Sequence, residues 1–464
     1  MSSQSTNIDW ILVFTYLLLV TIGWLAIYTA DFNEQHPEIY YLGSNYGKQL
    51  LWIGVALLVG LCIQILDTRF YTAFAYIIYG VALLSLLVVL LIGTNISGSK
   101  SWIKFGFFNV QPAEFAKFAT CLALAKYISG LSSMYYSIKE QLVGIAIVFI
   151  PIILIRLELE TGTALVFTSL AFVLYREGIL SGGILLLGVL AITLFVVSLL
   201  IPYQYAMIGV AALLFVVLIM KGKAPLWQKA FIFLPISILT LMAAAYLDEI
   251  TLLVILPILL VIFLLITVYS QRASYLMLVL FFSCFIYVKG VDYIYNHILQ
   301  KHQQNRIGVL LGTIEDKQGA GYNVNQSKIA IGSGGVYGKG YLEGTQNKGN
   351  FVPELSTDFI FCTIGEEFGF LGSAALISIF VFLLLRIIAV AERQKSRFSR
   401  IYAYGVACIL FFHFTINIGM TIGLMPVIGI PLPFISYGGS GLLGFSILFF
   451  TLIKLDSERY MYLR

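Results

Sequence analysis

The chain has 464 residues, of which 60% are hydrophobic and only 11% charged, with a formal net charge of +5 at pH 7. A mean hydropathy of +0.94 excludes a water-soluble globular domain and predicts an all-α polytopic membrane protein, because helices satisfy their own backbone hydrogen bonds in lipid. The positive excess lies in loop lysines and arginines and gives no reason to expect nucleic-acid binding.

Apolar stretches recur near residues 10–28, 49–65, 71–92, 112–128, 141–155, 161–174, 183–201, 205–220, 230–246, 251–268, 274–294, 358–385, 401–425 and 434–455. That is about fourteen spans. The residues before Trp10 lack a basic cluster, so the first stretch is expected to be a retained span rather than a cleaved signal. Cys62, Cys121, Cys284, Cys362 and Cys408 all fall in apolar runs, and His36, His297, His302 and His413 are scattered. Neither set has the spacing of a metal cage, so no protein metal ligand is expected.

Loop charge orients the spans. Arg69, Lys126, Lys139, Arg176, Lys221, Lys223, Lys229, Arg272, Arg386, Arg393, Lys395, Arg397 and Arg400 fall in alternate loops, with Lys454, Arg459 and Arg464 in the tail. Both termini are therefore expected in the cytoplasm. Lys100 and Lys104, in an outer turn, dissent. The expected organisation is an N-terminal half of the membrane core (1–182), an extra membrane insert (183–272), one helix (273–295), an extracytoplasmic loop or cap (296–357) and a C-terminal core (358–464).

That long outer loop is where function is expected, since irregular loops beyond about 15 residues are usually functional or disordered. Its glycines allow close backbone approach, Gln326–Ile331 has a helical pattern, and Ser356-Thr357-Asp358 delivers a carboxylate to the start of the next apolar stretch. Two readings of Asp358 stand: a helix-start acid with Ser356 or Thr357 as cap, or a general base at the membrane edge. In Gln111-Pro112-Ala113-Glu114-Phe115-Ala116-Lys117, Glu114 and Lys117 share one helical face and can pair. Lys117 could also face inward and reach a carboxylate on another helix, Asp358 being the natural candidate.

The run from Met425 to Gly441 holds three prolines among its glycines and predicts a re-entrant or broken segment that shapes a groove. Glu366 and Glu367 point about 100° apart, so one of them is expected to pair inside the bundle. Glu160, at another helix start, is expected to cap. Arg306, Lys328 and Lys339 could screen a phosphate from the outer loop.

Taken together, Trp102-Ile103, Gln111-Pro112-Ala113-Glu114 with Lys117, Gly162-Thr163-Ala164, the stretch from Gly319 to Gly372 and the run from Gly423 to Gly441 resemble the SEDS family (shape, elongation, division, sporulation). Gly338-Lys339-Gly340, Gly344-Thr345-Gln346 and Gly429-Ile430-Pro431-Leu432-Pro433-Phe434 look like its elongation branch rather than its division branch. The resemblance implies a peptidoglycan glycosyltransferase that polymerises lipid II during cell elongation. An acceptor hydroxyl would attack the anomeric carbon of an undecaprenyl-pyrophosphate-linked glycan with inversion. It implies Asp358 as general base, Lys117 and Glu114 as an intramembrane pair, and Lys117 orienting Asp358. Gln111, Arg306, Lys328, Lys339, Gln346, Ser436 and Gly438 are the candidate substrate-binding residues. The implied setting is the cytoplasmic (inner) membrane, with a class B penicillin-binding protein transpeptidase and the elongation complex as partners, and a divalent cation (Mg or Mn) as possible help for the pyrophosphate.

Two features depart from that pattern. The resemblance implies a core of about ten spans, leaving about four extra crossings in 183–272 to which no function is assigned. Leu159-Glu160 stands where the family has Pro-Asp. Two other readings remain: a lipid-precursor flippase or transporter, which broken helices and an intramembrane Lys–carboxylate set also fit, and a non-catalytic scaffold for a transpeptidase, which would tolerate Asp358→Asn.

Overall fold

The computed structural model describes residues 8–32, 38–96, 99–105, 108–131, 136–200, 283–284, 286–291, 293–299, 301–310, 320–349 and 351–459. Residues group into two compact units, one of 1–181 with 312–464 and the other of 182–311.

The first unit opens with α1 (Trp10–Ala30), α2 (Asn45–Ile65) and α3 (Thr68–Ile92). Each starts where a short polar side chain accepts a backbone N–H: Asp9 from Leu12, Ser44 from Gly47, Asp67 from Arg69. A three-stranded antiparallel sheet follows, β1 (Thr94–Ile96), β2 (Ser99–Phe105) and β3 (Phe108–Val110). Trp102 pairs with Thr94, and Ile103 with Val110. The sheet replaces the simple outer turn expected here, and it accounts for Lys100. The Lys100 ammonium donates to the carbonyls of Leu90 (2.8 Å) and Leu91 (3.2 Å), the unpaired acceptors at the end of α3.

α4 (Pro112–Gly130) starts on its proline, and α5 (Ile138–Leu157) starts on a reciprocal Ser137–Glu140 capping box. The stretch expected as a span at 161–174 is one apolar helix, Thr161–Arg176, shorter than the others, in which α6 (Thr161–Phe167) and α7 (Ala171–Arg176) are joined by a 3₁₀ turn (Thr168–Leu170). After the second unit come α10 (Ala320–Ser333), longer than the helical pattern expected at 326–331, and the short α11 (Thr345–Lys348). Three long helices close the chain: α12 (Ile360–Arg393), α13 (Arg397–Thr421) and α14 (Gly439–Ser457). In the second unit, α8 (Gly182–Leu200) and α9 (Lys301–Leu310) flank a π-helical turn at Ile294–Ile298. The Gln304 amide donates to the carbonyls of Tyr295 and Leu299.

Among the described residues, seven helices are long and apolar enough to cross a membrane: α1, α2, α3, α5, α12, α13 and α14. The chain is a multi-pass membrane protein. The stretches expected at 205–220, 230–246 and 251–268, and most of 274–294, lie outside the described residues. α4 is as long as a span but carries Glu114, Lys117 and Lys126, all on a helix wrapped by α3, α5, α13 and α14. Outward positions such as Leu58, Leu61, Leu84 and Leu91 are exposed, while polar side chains are gathered inside, as the bilayer requires.

α12 is not continuous. Gly369 has φ +63° and ψ −155°, and the loop before the helix is spliced into the break. Lys339 and Gly340 N–H groups donate to the carbonyls of Glu366 and Glu367 (both 3.0 Å). Phe370 and Leu371 donate to Gly335 (2.9 Å) and Val336 (3.2 Å). The loop before α12 thus takes over hydrogen bonds the helix gives up, which fixes it in place without a sheet. At the opposite end of the bundle, Asp9 pairs with Arg386 and Arg393 (2.7 Å each), and Arg393 also binds Asp456.

Candidate active site

Asp358 lies in a run of turns just before α12 and is half-buried. The residue at the helix start is Phe359, with no side-chain cap, and the Thr357 hydroxyl donates back to Glu354. The capping reading of Ser356, Thr357 and Asp358 is therefore corrected: the acid is outside the first helical turn. Its carboxylate faces Gly429, where an added Cβ would sit 3.3 Å from Asp358 Oδ2. Gly429 has φ +76°, a conformation that glycine adopts without strain. A Cβ on Gly162 would come 2.9 Å from the Ile428 carbonyl of the same loop. The start of α6, the Ile428–Ile430 loop and Asp358 are thereby stacked in close contact. Tyr437 N–H donates to the Ser356 carbonyl (2.8 Å), tying the far end of the Pro/Gly-rich segment to the same turn.

Behind this stack, Lys117 and Glu114 form an ion pair at 2.8 Å on one face of α4, with exposures of 1% and 3%. The Lys117 ammonium is also 3.0 Å from His413 Nε2 and lies 4.2 Å from the centroid of the Phe445 ring. His413 Nδ1 is 3.1 Å from the Pro431 carbonyl. A carbonyl can only accept, so Nδ1 carries the proton, and Nε2 is left as acceptor for the ammonium. The expected contact of Lys117 with Asp358 thus becomes an indirect one, through His413, Pro431 and the loop that ends on Gly429.

A second carboxylate group borders α4. Gln111 Nε2 donates to Glu160 Oε1 at 2.5 Å, and the Thr163 hydroxyl donates to the same oxygen. Glu160 stands at the start of α6 without capping its backbone, which corrects the role expected for it. Its carboxyl is held above the ordinary range by burial, against the lowering effect of Thr163 and Gln111, with the Glu114 charge adding to the rise. Glu158 is fully buried, and burial, followed by the Glu160 charge, pushes its carboxyl up to about 8.

The remaining predicted residues are distributed as follows. Glu366 pairs as expected for one of the two acids: its Oε1 accepts from Lys339 Nζ (2.7 Å), Thr345 Oγ1 (3.2 Å) and the Gln346 N–H (2.9 Å). Lys339 and Gln346 are thus engaged with α12. Lys328 is exposed on α10, its stem against Gly423 at the end of α13. Ser436 Oγ accepts from Leu432 N–H (2.8 Å), and Gly438 N–H donates to Gln49 Oε1 (3.3 Å), so both hold the broken segment's shape. Arg306 is exposed on α9, in the second unit.

The structure therefore brings Asp358, Lys117, Glu114, Gln111 and Ser436 to one end of the first unit. Sequence reasoning missed His413, Asn417 and Glu158. His413 and Asn417 are four apart in an apolar helix, a signal that was available. Glu158 gave none, since nothing in its neighbours announces burial. Among the described residues no three His, Cys, Asp or Glu side chains converge as a metal-ligand set.

The fold and sequence agree with known proteins. The sequence model of the FtsW, RodA and SpoVE family, described as cell cycle protein, matches residues 9–214 and 204–461. The peptidoglycan glycosyltransferase RodA of Treponema pallidum is 29% identical over 447 residues, covering 94% of each chain. The peptidoglycan glycosyltransferase MrdB of Escherichia coli K12 is 28% identical over 459 residues, covering 99% of this chain and 96% of the relative. A chain solved in work on structural coordination of polymerization and crosslinking by a peptidoglycan synthase complex superposes with a TM-score of 0.63 at 22% identity, over 98% of this chain and 99% of that one. With nearly its whole length matched, this chain belongs to the FtsW, RodA and SpoVE family of cell cycle proteins.

Proposed function

We infer that the chain is a peptidoglycan glycosyltransferase of the elongation type, polymerising lipid II into glycan strands. The observation that carries this reading is family membership over both halves of the chain, with full-length relatives that bear that enzyme name. Asp358 serves as the general base. Its carboxylate removes the proton of an acceptor sugar hydroxyl as that oxygen bonds to the donor's anomeric carbon. The bond from that carbon to the pyrophosphate oxygen breaks, undecaprenyl pyrophosphate departs, and the configuration inverts. The half-buried turn against Gly429 supports this role, because it holds the carboxylate at a bundle end without burying it.

Lys117 and Glu114 act behind the base as a fixed charge pair. Exposed Lys328 is the candidate contact for pyrophosphate, with Lys339 and Gln346 shaping the loop around it. The Asp358 end faces outward from the cytoplasmic membrane, and both termini lie in the cytoplasm. The arginines gathered at the other end of the bundle (Arg386, Arg393, Arg397, Arg400, Arg459) support that orientation. The partner would be a class B penicillin-binding protein within the elongation complex, as the synthase complex containing the structural relative suggests.

The test is to supply purified full-length chain with labelled lipid II and resolve glycan strands on a gel, beside Asp358→Ala. Strands from wild type alone support enzyme and base. Strands from both remove the base assignment. None from wild type, with intact lipid II and folded protein, removes the enzyme.

A further inference from the structure

The base has a mechanical problem that the described contacts bring out. Asp358 is carried by turns rather than by a helix, and the Gly429 loop it faces belongs to a Pro/Gly-rich segment without regular secondary structure. Neither segment holds itself in register. Something rigid must hold both.

α13 supplies it. Asn417 is fully buried, and its side-chain nitrogen lies 2.8 Å from the Asp358 carbonyl and 2.7 Å from the Ile430 carbonyl. Only the amide NH₂ can face two carbonyls, so both of its N–H groups are spent on joining these two segments. Asn417 Oδ1 is left buried without a hydrogen-bond partner among the described residues, a costly arrangement in an apolar helix. One helical turn earlier, His413 holds the next carbonyl of the segment, Pro431, and receives the Lys117 ammonium. Two successive carbonyls of the broken segment and the carbonyl of Asp358 are thus fixed from one face of one long helix.

We propose that Asn417 and His413 are positioning residues for the glycosyl transfer, a brace that registers the Asp358 carboxylate against the Gly429 loop and couples it to the Lys117–Glu114 pair. The inference rests on the enzyme reading above, and it names residues that act through Asp358 rather than on substrate. Asn417 sets the separation of the two segments. His413 transmits the position of Lys117 to the same loop. Its requirement is for a side chain that donates to Pro431 and accepts from Lys117, which a glutamine amide can also do.

The experiment uses the full-length protein with Asn417→Asp, His413→Leu and His413→Gln, each compared with wild type and Asp358→Ala. Asn417→Asp keeps the shape but removes the NH₂ donor. Turnover at saturating lipid II is expected to fall about 10- to 100-fold per folded molecule, with the KM for lipid II changing less than about threefold, since misplacing a group by an ångström costs rate before binding. His413→Leu is expected to fall about tenfold or more, and His413→Gln to remain within about threefold of wild type. Amide exchange at residues 354–359 and 428–432 should rise in Asn417→Asp while α13 stays protected.

Wild-type turnover in Asn417→Asp, a raised KM and lowered melting temperature without a loss in kcat, or a glutamine variant no better than leucine would each overturn the brace. The exchange measurement decides it even if wild type makes no polymer. Faster exchange with no wild-type activity keeps the brace and removes the enzyme reading. Unchanged exchange removes the brace alone.

Discussion

Lys117 and Glu114 meet at 2.8 Å on the same face of α4, and both are almost completely removed from solvent. A buried pair of this kind is weak evidence of stabilisation, but breaking it from one side strands a charge. Lys117→Met should therefore cost about 3–5 kcal/mol of stability. Adding Glu114→Gln to that variant should recover most of the loss, because the remaining side chain is neutral. Thermal melts of the purified single and double variants check this. A double variant as unstable as Lys117→Met would mean that packing by the lysine stem, not charge, sets the cost.

The Lys339 ammonium and the Glu366 carboxylate, 2.7 Å apart, close the loop before α12 onto that helix. Thr345 and the Gln346 N–H share that carboxylate, so removing the lysine weakens an arrangement without abolishing it. Lys339→Ala should loosen the 338–346 loop locally, leaving the membrane helices intact. A charge-assisted hydrogen bond contributes about 1.5–3 kcal/mol, which corresponds to at least a tenfold rise in amide exchange there. Exchange that rises equally in α12 and α13 would instead mean global destabilisation.

Glu158 makes stability depend on pH. Its carboxyl titrates near 8 in the folded protein against an ordinary value of 4.5, chiefly because burial disfavours the charged form. A raised carboxyl contributes stability that is fully present below the unfolded value and is lost as pH rises through the folded one. Wild type should therefore lose melting temperature relative to Glu158→Gln between pH 4.5 and about 8, and the difference should level off above that range. Parallel melting curves across the window would show that the buried acid does not titrate there.

Much of the architecture was legible because a span is a local property: an apolar run of roughly 20 residues needs no tertiary information. Asp358, Glu114 and Lys117 were legible for the complementary reason, since charge beside such a run is expensive. What stayed hidden depended on distant partners. The sheet at 94–110 is made of strands of 3, 7 and 3 residues, too short for alternation to declare itself. The break in α12 at Gly369 becomes intelligible only when the loop from Gly335 to Gly340 is seen taking over its hydrogen bonds. Lys117 could be placed beside Glu114 by helical spacing, but its choice of His413 required α13 in position.

Gly429 offers the most direct test of how tightly the Asp358 carboxylate is held. The residue has φ +76°, where a Cβ is strained by about 1–2 kcal/mol, and that Cβ would meet Asp358 Oδ2 at 3.3 Å. Neither effect is large enough to unfold a membrane bundle whose helices pack elsewhere. Both act on the distance between the loop and the carboxylate. Gly429→Ala should therefore leave protein yield and melting temperature near wild type, while lowering kcat for lipid II polymerisation about tenfold or more with little change in KM. Gly162→Ala presses on the same loop, 2.9 Å from the Ile428 carbonyl, and should give a loss of the same kind. If Gly429→Ala polymerised at the wild-type rate while Asp358→Ala was inactive, the carboxylate would have to work from a position that the Gly429 loop does not set.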